Sequence, residues 1–126
     1  MSENNSEVVS TEGLVDVVVD GIQEKKGSKI TVLDLRNIEN MIAEFFVICE
    51  GESNVHVDAV SDSVEEIVRR DAGEKPLHVE GRRNAEWVLL DYMNVVVHVF
   101  QKQVRSSYNL EDLWADADRK DIEDLF

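Results

Sequence analysis

The stretch Trp87-Val-Leu-Leu-Asp-Tyr92, then Met93-Asn94, then Val95-Val-Val-His-Val-Phe100 decides the fold. Two runs of β-branched and aromatic residues flank a two-residue connection, the pattern of an antiparallel hairpin. Asn94 suits the positive φ that so tight a turn requires. Alternation puts Trp87, Leu89 and Asp91 on one face of the first strand and Val88, Leu90 and Tyr92 on the other. In the second strand His98 shares a face with Val96 and Phe100.

Working upstream, Glu44-Phe-Phe-Val-Ile-Cys49 is an almost continuous apolar run, which suits a strand covered on both faces by helices. Ile30-Thr-Val-Leu-Asp-Leu35, bounded by Gly27-Ser28 and Arg36-Asn37, reads as another strand, and residues 36–43 as a turn. Leu77 to about Gly81, after Pro76, supplies a fifth. Between the strands lie two helical patterns. Val8, Thr11, Val15, Val18 and Ile22 recur at spacings of three and four over Val8–Lys26, and Lys25-Lys26-Gly27 is a stop signal. Ser53 can cap a second helix running to about Asp71, with Val57, Val60, Val64, Ile67 and Val68 on one stripe and Gly73 closing it. The expected fold class is therefore α/β, a layered sandwich around a mixed sheet of about five strands.

Downstream of the hairpin, Arg105-Ser-Ser-Tyr108-Asn109-Leu-Glu-Asp-Leu-Trp114-Ala predicts a short helix with Asn109 as its cap. Residues 1–6 read as a loosely ordered lead-in and 7–117 as a single domain. The acidic extension 118–126 reads as a final amphipathic turn or a frayed tail.

The chain has 126 residues, with 13 Lys and Arg against 27 Asp and Glu, a formal charge of -14. Nucleic-acid affinity comes largely from Lys and Arg displacing counterions, so direct RNA or DNA binding is not expected. Such a field favours basic protein partners instead. The polar, acidic start and the lack of any apolar run of about 18 residues give no membrane segment and predict a cytoplasmic protein. Cys49 stands alone in an apolar run and reads as a buried strand thiol.

Catalysis would leave a nucleophile with its base, a phosphate loop or clustered metal ligands. The six glycines form neither G-x-G-x-x-G nor G-x-x-x-x-G-K-[ST], and His56, His78 and His98 make no short-spaced pair with each other or Cys49. Asp116-Ala-Asp118 has D-x-D spacing but no strand signal around it. No catalytic, metal or cofactor residues are assigned.

The block Glu80-Gly81, Glu86 to Tyr92, Val95 to Phe100 and Tyr108-Asn-Leu-Glu-Asp-Leu-Trp114-Ala-Asp-Ala117 resembles the ribosomal silencing factor family, also called RsfS or Iojap-like. Val32 to Leu35, Phe46 to Ile48, and Gly51 with Ser53, Val57, Ala59 and Asp62 fit in order, so the resemblance covers roughly residues 10–117. The chain departs from the family at Met93-Asn94, where Gly-Asp is more usual, at Ser106-Ser107, and in residues 118–126. The resemblance implies a nucleotidyltransferase-like α/β/α fold without transferase chemistry. It also implies binding to the large ribosomal subunit through that subunit's fourteenth protein, blocking subunit joining and lowering translation. Some members dimerise, so a homodimer is a further partner the resemblance leaves open.

Large rigid side chains dominate interfaces. On that ground Trp87, Asp91 and Tyr92, with His98 on the second strand and Arg105, Tyr108 and Trp114 downstream, are the expected partner-binding residues. Two other readings use the same chain: a nucleotidyltransferase-like enzyme built on Asp116 and Asp118, and an adaptor for another basic protein.

Overall fold

The computed structural model describes residues 9–126. The lead-in at 1–6 and the proposed helix start at Val8 lie outside the described residues. Ser10 accepts a hydrogen bond from the Gly13 amide at 3.0 Å and so caps α1, Thr11–Glu24, satisfying one of the free amides of the first turn. Despite its valines the segment is a helix, because Leu14, Val15, Val18, Val19 and Ile22 then fall on one buried stripe.

Next come β1 (Ser28–Asp34), β2 (Phe45–Gly51) and α2 (Asn54–Ala72). Ser53 caps α2 by accepting from the His56 amide, and Gly73 ends it in the left-handed region at φ 69°. The two helices pack side by side, joined by a hydrogen bond from the Ser63 hydroxyl to the Gly21 carbonyl at 2.7 Å. His56 adds a second tie, accepting from the Glu52 amide through Nδ1 and bonding the Lys25 carbonyl through Nε2. The Gly51-Glu52-Ser53 turn therefore feeds straight into a helix.

Three more strands follow: β3 (His78–Glu80), β4 (Trp87–Asp91) and β5 (Val95–Gln101). The β4–β5 pair is the antiparallel hairpin the sequence predicts. Its turn differs in detail: the positive φ falls on Met93, at 73°, rather than on Asn94. The Asp91 carboxylate accepts from the Met93 amide at 2.7 Å and holds that conformation. The Asn94 carbonyl accepts from the Glu44 and Phe45 amides, which seats the hairpin at the start of β2. β5 and β2 then run parallel in register, Phe46 beside Val96 and Ile48 beside His98.

The C-terminal part departs most from expectation. The helix starts earlier, as α3 (Lys102–Tyr108), and Asn109 ends it in the left-handed region at φ 50° before α4 (Leu110–Leu113). Asn109 makes no side-chain cap; its side-chain amide instead bonds the Asp112 carboxylate. Residues 118–122 are neither a turn nor a frayed tail but β6 (Asp118–Ile122), paired antiparallel with β1 from Ile30 opposite Ile122 to Asp34 opposite Asp118. The Thr31 hydroxyl donates to Asp121 at 2.8 Å and the Lys29 amide to Asp124 at 2.9 Å, so the acidic end is stitched on by hydrogen bonds. The sheet has six strands, in the order β3-β4-β5-β2-β1-β6, one more than the sequence suggests.

Two cores flank this sheet. On one face α1 and α2 cover Val47, Cys49, Val88, Leu90, Val97 and Val99. Burial pushes the Cys49 thiol up to about 12, so it stays protonated, as expected of a structural thiol. On the other face Leu33, Leu35, Ile48 and Phe100 pack under α4 with Leu110 and Ala117. The three-layer α/β/α arrangement with a mixed sheet is the expected one.

Gly81 fixes the entry to β4. Its φ is +87° and an added Cβ would lie 1.9 Å from the Trp87 carbonyl oxygen. Arg82 then clamps the loop to α2 through Asp58, Asp62 and Glu65. Replacing Gly81 with alanine should cost on the order of 2 kcal/mol by thermal or urea unfolding, because both conformation and contact are violated.

Candidate functional site

The helices do not cover the second face of the sheet completely. On β4 the inward residues Val88 and Leu90 are fully buried, whereas Trp87, Leu89 and Asp91 on the opposite side stay partly open. Register extends this open face sideways: Trp87 lies opposite Phe100, Leu89 opposite His98, and Asp91 opposite Val96, with Phe46 beside Val96 on β2. Alternation thus assembles one surface from three strands.

Its centre is aromatic. Tyr108, at the end of α3, packs on Trp87 with ring centroids 4.5 Å apart, and Trp87 stacks on Phe100 at 5.0 Å. His98 meets Phe46 edge-on at 4.7 Å, and Phe46 meets Trp114 at 6.0 Å. Tyr108 is 51% exposed, while Trp87, Phe46 and Trp114 are half-buried. These separations fall in the range in which aromatic pairs add to plain area burial. The result is a preordered apolar surface, the kind that binds without a large entropic penalty.

His98 is the floor of this surface. It is 4% exposed, and its Nδ1 accepts the Trp87 indole N–H at 3.1 Å. The neutral ring must therefore carry its proton on Nε2, a buried atom without a hydrogen-bond partner among the described residues. Desolvation drives its pKa down to about 4, against a weaker opposing pull from Glu111.

The structure divides the seven residues expected to meet a partner. Trp87, His98, Tyr108 and Trp114 come together, and Asp91 lies on the same face towards the hairpin turn. Tyr92 does not join them. It lies on the other face with Val88 and Leu90 and is 4% exposed, because the strand's alternation points it under α2. Arg105 is also internal, at 9% exposed. Its guanidinium donates to Glu111, Glu50, the Lys29 carbonyl and the Thr31 hydroxyl, tying α3 and α4 to β1 and β2. Arg105 and His98 can act on a partner only through the side chains they hold in place. Phe46 was missed by sequence reasoning, since a run apolar on both faces does not reveal which side a helix leaves open. Asp116 and Asp118 are both exposed, one in a turn and the other opening an edge strand.

The model of the family described as ribosomal silencing factor during starvation matches residues 8–126. The chain belongs to this family. A ribosomal silencing factor from Halalkalibacterium halodurans is 36% identical over 115 residues, spanning 91% of this chain and 97% of the relative. That from Bacillus subtilis is 34% identical over the same length, 91% of this chain and 96% of its own. A crystal structure of a Chromobacterium violaceum protein superimposes with a TM-score of 0.80 at 30% identity, covering 85% of this chain and 88% of that one. The ribosomal silencing factor match includes residues 118–126, in keeping with the place of β6 in the sheet. No helix among the described residues is long and apolar enough to cross a membrane.

Proposed function

We propose that this protein represses translation in the cytoplasm by binding the large ribosomal subunit through its fourteenth protein and denying that surface to the small subunit. The supporting observation is the open aromatic face of Trp87, Phe46, Tyr108 and Trp114, set in a chain of net charge -14. An apolar, rigid centre supplies contact energy. The surrounding negative field attracts a basic protein and is repelled by the rRNA beside it. Steric exclusion needs no catalytic group: a body of 14.3 kDa held on the intersubunit face blocks it, and occupancy sets the effect.

Co-sedimentation with purified large subunits at low salt tests this reading, and failure of the unaltered protein to pellet would overturn it. Tyr108→Ala is the informative variant, because that side chain is half in solvent. It should weaken binding by about 30-fold, equivalent to about 2 kcal/mol, with a smaller fall in melting temperature than Trp87→Ala causes. Trp87→Ala is less discriminating. Trp87 packs on Phe100 and bonds His98, so its loss lowers stability as well as binding.

A further inference from the structure

Beyond the aromatic centre, towards the hairpin turn, the same face opens into a groove of about 270 Å³ lined by Ile42, Ala43, Leu77, His78, Asp91, Met93 and Val96. Its walls are apolar and exposed: Ile42 is 82% exposed, Leu77 57% and Met93 52%. Asp91 is the single carboxylate in the lining, and no lysine or arginine of this chain lines it. One Asp91 oxygen, Oδ1, accepts from the Met93 amide; among the described residues Oδ2 has no hydrogen-bond partner.

We infer that this groove takes a long basic side chain, lysine or arginine, from the protein partner, its stem along Ile42, Leu77, Met93 and Val96 and its cationic head on Asp91. Three features select that chemistry. A purely apolar plug would cover the carboxylate without pairing it, which is unfavourable. An acidic or phosphorylated group would meet both Asp91 and the field of a chain of charge -14. Lysine and arginine alone combine a methylene stem that covers apolar surface with a head that pairs a carboxylate. The groove also continues the aromatic surface through Val96, which neighbours Phe46 on β2 and lies opposite Asp91 on β4. One partner can fill both.

This inference rests on the proposed ribosome binding, and the experiment separates the two. Purified large ribosomal subunits are titrated with the full chain, Asp91→Asn, Leu77→Lys and Tyr108→Ala over a range of salt concentrations. Asp91→Asn keeps an oxygen for the Met93 amide, and Leu77 is exposed, so both variants should melt like the parent. Each should bind on the order of tenfold more weakly at low salt, with a flatter salt dependence: one lacks the anion, and the other fills the groove with its own cation. Parent-like affinity and salt dependence in both, while Tyr108→Ala loses binding, would refute the basic-side-chain groove and leave ribosome binding standing. If the parent chain itself fails to bind, both readings fall. Should Asp91→Asn prove unstable, Leu77→Lys decides alone.

Discussion

Arg105→Ala should destabilise the protein by roughly 3–5 kcal/mol, a larger loss than Gly81→Ala would cause. The guanidinium lies 2.6 Å from the Glu111 carboxylate and 3.2 Å from that of Glu50, and the side chains of all three are almost wholly shielded from solvent. It also donates to the Lys29 carbonyl at 2.6 Å and the Thr31 hydroxyl at 3.1 Å. Truncation leaves two shielded carboxylates without the guanidinium that hydrogen-bonds both, which costs more than the pair itself contributes. The structure supplies its own control. Combining Arg105→Met with Glu50→Gln and Glu111→Gln removes the stranded charges and should recover a large part of the loss, as urea unfolding of the series would measure. If Arg105→Ala alone were neutral, the cluster would not hold α3 and α4 to the sheet. Weakened ribosome binding by Arg105→Ala is expected too, because α3 carries Tyr108 and α4 leads into Trp114.

Acid should destabilise the protein, and His98 is a main reason. Unfolded, the ring titrates near 6.5; folded, burial lowers that to about 4. The folded state thus binds fewer protons than the unfolded one between these values. His98 imposes no penalty above pH 6.5, and stability falls as pH drops towards 4, by about 3 kcal/mol over that window. The structural cause is specific. Protonation requires an N–H on Nδ1, the atom that accepts the Trp87 indole N–H, so it sets two donors against each other and charges a ring packed among Phe46, Phe100 and Trp87. Glu111 acts in the same direction at lower pH. Burial raises its pKa, but the Arg105 hydrogen bonds, a backbone hydrogen bond and the charges of Arg105 and Arg119 together leave it below the usual carboxylate range, so its contribution is lost as pH falls through that lower value. Stability measured from about pH 8 to pH 4 should show the steep limb in the parent. It should be flattened in His98→Gln, which keeps an acceptor for the indole but cannot titrate. An unchanged slope in that variant would assign the acid sensitivity elsewhere.

Much of the architecture was legible in the chain. The apolar alternation of Trp87–Tyr92 and Val95–Phe100, the stripe of Val57, Val60, Val64 and Val68, and the Ser53 and Gly73 boundaries each state a local preference that the tertiary structure keeps. The family was legible too, from the run between Glu80 and Ala117 that resembles it, and the family match extends over residues 8–126. The candidate site was only half legible, as Tyr92 shows. It stands next to Asp91 in sequence and looks equally suited to contact, yet the strand sends it to the opposite face.

The sequence by itself determined the elements, their order and the two-faced character of the central strands, because helix and strand periodicity depend on neighbours a few residues apart. Only the tertiary structure decided which face is left open, and it did so through contacts far apart in the chain. Arg105 is internal because Glu50 and Lys29, 55 and 76 residues away, reach it. β6 exists because a polar segment finds the free backbone edge of β1; its charges carry no hydrophobic signal to announce it. Phe46, half-buried beside Trp114, becomes part of the surface because α1 and α2 both pack on the other side of the sheet.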